Sequence, residues 1–181
     1  VLPGTYKVAL QKFEDGKFSE LVAKKEFVCK TLNNSSIPVE DRKSLDQFNK
    51  KVAELTRAIS GADAFRNDLV NKISYFKKAV FETASVPNDT YEKILTIESD
   101  LRELNKKLNG DNLRSKYEGG RPSSVKDRVD LITYSLWSTT AAATTTFIKS
   151  YDAAAEKFGE IHSSLKSIDA NIKQVEDELE K

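Results

Sequence analysis

The last fifth of the chain constrains the fold most. Phe147, Tyr151, Ala154, Phe158, Ile161, Leu165, Ile168, Ile172, Val175 and Leu179 follow one another in steps that alternate between 4 and 3 over nine intervals. A helix turns once in about 3.6 residues, so these positions fall on one stripe with charged residues on its flanks. A strand would scatter them over two faces, because its side chains alternate with a period of two. The spacing predicts a helix over about 145–180. Its apolar seam has two uses: packing in the chain's own core, or docking a partner helix.

The same periodicity fills most of the remaining chain. Leu45, Phe48, Val52, Leu55, Ile59 and Ala62 form a stripe that Leu69, Ile73, Phe76 and Val80 resume. One helix over about 38–84 is expected, with Pro38 in its first turn. Gly61 weakens it by about 1 kcal/mol without a second breaker beside it. A turn at 85–88 leads to a second helix, about 89–108, whose stripe is Ile94, Ile97, Leu101, Leu104 and Leu108. Asp89 and Glu92 have the spacing of a capping box at its start, and Asn109-Gly110 has the form of its stop. Residues 111–122 hold Gly119, Gly120 and Pro122 among charges and are expected to be a loop. Ser124 with Asp127 opens a third helix, about 124–138, and a Thr/Ala-rich turn separates it from the fourth.

The N-terminal residues have a different period. Tyr6, Val8 and Leu10 alternate with Thr5, Lys7 and Ala9, and Asp15-Gly16 tolerates the positive φ of a tight hairpin turn. Residues 1–32 are therefore expected to be a β-hairpin. Residues 33–181 are expected to be an antiparallel four-helix bundle, giving a mainly α fold. Two strands alone are marginal in water. They either pack on the helices or complete a sheet whose other strands lie elsewhere; the second reading is preferred.

Composition narrows the function. The 29 basic and 28 acidic residues leave a net charge of +1, without the basic excess that a nucleic-acid binder uses. No apolar run is long enough to span a membrane, and Val1–Thr5 lack the features of a signal peptide. One Cys and one His leave no material for a Cys/His metal cluster or an internal disulfide. His162 has no second His or Cys to help it, and Cys29 has no candidate base, so both are expected to be structural. No phosphate loop, metalloprotease motif or nucleophile elbow is present, and carboxylate pairs such as Asp127/Asp130 read as solvated faces. Neither catalytic residues nor a cofactor are expected. Core or helix-end packing is the expected role of the Trp137 indole; with Tyr134 and Tyr151 able to line the same region, it is also the one place where a ligand is sought.

Pro3-Gly4-Thr5-Tyr6-Lys7-Val8 resembles the strand that ends a fibronectin- or immunoglobulin-like module. The succession of elements after that strand resembles the C-terminal helical region of bacterial sortilin-like β-propeller proteins with BNR (Asp-box) repeats, often named glycosyl hydrolases. The shared order is a helix carrying Leu45–Ile59, a shorter helix ending in Leu108-Asn109-Gly110-Asp111, a Gly- and Pro-containing loop, a helix with Arg128-Val129, a Thr-rich turn, and a final helix through Ile168-Asp169 and Ile172. The resemblance implies a non-catalytic accessory region at the C-terminus of a larger exported protein. Its partners would be the upstream β-propeller and immunoglobulin-like module of the same polypeptide. Export to the periplasm or the cell exterior would use the parent's signal peptide. The matching motifs are turns and core positions, so no functional residue transfers, and the chain departs from a hydrolase by lacking a paired-carboxylate cleft. The alternative is a stand-alone helical module that binds a protein partner and is unrelated to carbohydrate.

Overall fold

A computed structural model describes residues 2–32, 42–83, 86–118, 122–139 and 141–180. The chain is mainly helical, with an antiparallel two-stranded hairpin followed by helices. Its elements are β1 (Gly4–Glu14), β2 (Lys17–Cys29), α1 (Arg42–Glu82), α2 (Asn88–Asn109), α3 (Asn112–Tyr117), α4 (Val125–Trp137) and α5 (Thr145–Leu179). It divides into two compact units, one holding the hairpin with the first residues of α1, the other the remaining helices.

In the hairpin unit, Asp15 (φ 51°) and Gly16 (φ 75°) form the two-residue turn with positive φ that matches the right-handed strand twist. β1 pairs regularly while β2 carries two extra residues, with register shifts on either side of Leu10. Tyr6, Val8 and Leu10 share one face with their partners Phe27, Lys25 and Val22. The opposite face holds the Lys7–Glu26 ion pair (3.1 Å) and, next to the turn, the Phe13–Phe18 pair with ring centroids 4.7 Å apart. Every strand residue except Tyr6 and Cys29 is exposed. The apolar face therefore meets solvent, with Val8 and Leu10 each at 58% exposure.

In the helical unit, α1 runs through Gly61 without a break, and Pro38 lies outside the described residues. Lys77 Nζ reaches Glu98 Oε2 (2.8 Å) and Asn109 Nδ2 donates to Asp63 Oδ1 (2.8 Å), so α2 runs antiparallel to α1. Lys93 binds Glu178 (2.7 Å), while Leu104 and Lys107 share a groove with Ile161, so α2 is antiparallel to α5 as well. Hence α1 and α5 are parallel, and Lys72 joins Glu176 between them (2.5 Å).

Pro122 and Ser123, just before α4, share a groove with the end of α2 and with Lys157–Ile161, whereas the last turn of α4 lies beside residues 49–57 of α1. Thus α4 continues in the direction of α2. The expected alternation of helix directions fails at this step, and between the two helices lies α3. That short helix also corrects the expectation of a loop over 111–122. Asp111 caps it, accepting a hydrogen bond from the Arg114 N–H at 3.0 Å.

The core is the set of stripes closing on one another. Leu69 and Ile73 from α1, Ile94, Leu101 and Leu108 from α2, Val125, Val129 and Ile132 from α4, and Ile161, Leu165, Ile168, Ile172 and Val175 from α5 are all buried. The α5 seam is thus consumed by its own chain. Ser124 and Asp127 form the full capping box expected at the start of α4. At α2 the expected box between Asp89 and Glu92 is absent. Pro87 occupies the cap position, and its carbonyl accepts the Thr90 N–H at 3.1 Å. Thr90 is buried and its hydroxyl donates to Glu178 Oε2 (3.2 Å). The Lys93 ammonium hydrogen-bonded to Glu178 holds that carboxyl below its ordinary value, and the same bond raises the Lys93 ammonium.

Candidate functional site

α4 ends two residues before a Thr/Ala-rich connection, and its last turn is poorly covered. Leu131, Tyr134 and Trp137 succeed one another at a spacing of three along one side of the helix and are 55%, 76% and 89% exposed. Small offsets of this kind keep side chains neighbouring on a helix surface. Tyr151, the third candidate, is half-buried on α5 and does not line the groove in which Trp137 takes part. The structure therefore leaves Tyr134 and Trp137 exposed on α4, and neither Tyr134 nor Tyr151 lines the groove of Trp137.

Trp137 forms one wall of a groove of about 500 Å³ between α1 and α4. Val52, Ala53 and Leu136 make its apolar lining, with Asn49 and Arg57 spaced two turns apart along α1. The Thr56 and Thr133 hydroxyls that border it donate to carbonyls of their own helices, Val52 O (2.8 Å) and Val129 O (2.9 Å). No described residue pairs with the Arg57 guanidinium. Among the described residues the groove is lined by no carboxylate, whereas the grooves along α2 include Asp100 and Glu103, Asp111 and Glu160, Asp89 and Glu92, or Glu98.

Sequence reasoning finds Trp137 from its type and misses Arg57 and Asn49. Nothing in the pattern of α1 says which helix lies beside residues 49–57, so those two side chains read as ordinary surface. His162 is exposed on α5, with its ring stacked near Phe158 at a centroid distance of 6.3 Å. Cys29 is half-buried at the end of β2. Among the described residues, no group of three or more His, Cys, Asp or Glu is placed to hold a metal ion, and no helix is long and apolar enough to cross a membrane. No protein-family model, curated protein or solved structure matches the chain.

Proposed function

We propose that this chain is a non-catalytic accessory region whose hairpin completes a β-module and whose helices have a structural, bracing role in a larger polypeptide. The observation that supports the reading is the hairpin's uncovered apolar face. Tyr6, Val8, Leu10, Val22 and Phe27 are paired across two strands, and of these only Tyr6 is partly shielded. Two strands need a third, or a packed layer, to be independently stable. An apolar sheet face of this kind is a surface prepared for such a layer. In the fuller form of the proposal the hairpin is the end of an immunoglobulin-like module and the helices form one four-helix bundle. The parent is then an exported, glycosyl-hydrolase-like β-propeller protein acting in the periplasm or outside the cell. Catalysis belongs to the propeller.

Reading the genomic frame upstream of Val1 tests this. Strand-rich sequence with Asp-box repeats and a signal peptide is the expected result; a start codon directly before Val1 would overturn it. The second reading, a stand-alone module that binds a protein partner, draws support from the exposed Leu131, Tyr134 and Trp137. Tyr and Trp are the residue types that most often anchor interfaces. The α5 seam does not support it, because Ile161, Leu165, Ile168, Ile172 and Val175 are buried within the chain.

A further inference from the structure

We infer that the groove between α1 and α4 binds a small organic anion with a flat apolar body, of the aryl or unsaturated-ring carboxylate class. Three features of the groove select that chemistry, and they come from different parts of the sequence. Trp137, 89% exposed, offers an indole face at the end of α4. An indole face of this kind attracts flat rings, and aromatic pairs contribute beyond the area they bury. Val52, Ala53 and Leu136 supply an apolar floor beside it. Arg57 supplies a guanidinium that no described residue neutralises.

Charge selects the anion. A guanidinium presents a planar fork that fits the two oxygens of a carboxylate, and this charge-assisted pairing is stronger than a neutral hydrogen bond. No acid among the described residues lines the groove to compete, in contrast to the grooves along α2, each of which carries at least one carboxylate. The Thr56 and Thr133 hydroxyls are committed to helix carbonyls, which leaves Arg57 and the Asn49 amide as the polar groups that face a ligand. Asn49 and Arg57 are eight residues apart, a rise of about 12 Å along the helix. A ring carboxylate spans part of that length with its charge at Arg57 and its ring against Trp137. A volume of about 500 Å³ lies within the ordinary range for sites that take small molecules.

The chain has one tryptophan, so its single indole N–H resonance reports on this groove directly. The test is a titration of the full chain with trans-cinnamate, and in parallel with the neutral cinnamamide, followed by that resonance in proton–nitrogen correlation spectra. The expected result is a saturable shift with cinnamate and a binding constant at least about tenfold weaker for the amide, tenfold being the effect of 1.4 kcal/mol. Arg57→Gln is expected to lower the affinity for cinnamate by a similar factor, and Arg57→Lys to restore part of it by charge alone. Arg57 is exposed and lies outside the core, so both variants keep the fold, which the helical circular dichroism checks. No saturable shift, equal binding of acid and amide, or equal binding by the wild type and Arg57→Gln would each overturn the inference. Cinnamate bound on the hairpin's apolar face instead would be indifferent to Arg57→Gln.

Discussion

Ile172→Ala is expected to lower the stability of the helical unit by about 2–5 kcal/mol, the range found when a fully buried Ile or Leu is truncated to Ala. Ile172 is fully buried in the α5 seam. The Lys72–Glu176 and Lys93–Glu178 pairs set its level in the bundle, near Leu69 of α1 and between Ile97 and Leu101 of α2. Three helices meet at that level, so the missing atoms leave a space that no single helix can close by shifting. A domain of this size has only about 5–15 kcal/mol in hand, so the loss is a large part of the total. Chemical denaturation followed by helical circular dichroism measures it. Leu10→Ala on the hairpin is the matched control: Leu10 is 58% exposed, and a change within about 0.5 kcal/mol is expected. Equal losses from the two substitutions would contradict the packing described.

Gly110→Ala is the second large effect. Gly110 ends α2 with φ 90° and ψ 163°, a backbone region that only glycine occupies at ease, and its N–H donates to the Lys106 carbonyl at 2.9 Å. The residue is also buried. Forcing a Cβ into that conformation costs about 1–3 kcal/mol. Thermal unfolding is expected to move down by roughly 2–4 °C for each kcal/mol lost in a chain of this length. Gly61→Ala gives the opposite sign. Gly61 lies inside α1, and a Cβ added there meets nothing within 4 Å. Alanine at an open helical position gains roughly 0.5–1 kcal/mol over glycine. Midpoints that moved in the same direction for the two substitutions would show that backbone strain is not what Gly110 relieves.

These two positions also show what is legible in the sequence. The α5 seam, the Asp15-Gly16 turn, the Ser124/Asp127 box and the stop at Gly110 each depend on residues close together in the chain, and local physics is enough to read them. The start of α2 escapes a local reading because a long-range bond decides it: Thr90 turns inward to Glu178, and Pro87 supplies the cap carbonyl. The helix α3 escapes it because Asn112–Tyr117 contains no buried residue and so shows no apolar stripe. The common direction of α2 and α4 is hidden because contacts distant in the sequence decide it, whereas consecutive helices of a bundle commonly reverse. Of the candidate site, Trp137 is visible as a residue type. Arg57 becomes part of it only through the placement of α4 beside residues 49–57 of α1, which no local pattern encodes.

The hairpin poses the central question: its apolar face is exposed, while the helices close their own core. Amide hydrogen exchange on the chain by itself tests this most directly. Segments with few buried contacts open locally, whereas core helices exchange only through global unfolding. The amides of Gly4–Cys29 are expected to exchange at least about a thousandfold faster than those of α2 around Leu101 and of α5 around Ile172, the gap that a few kcal/mol of stability produces. Hairpin amides protected as strongly as those helical ones would contradict it, because the strands would then be complete as they stand.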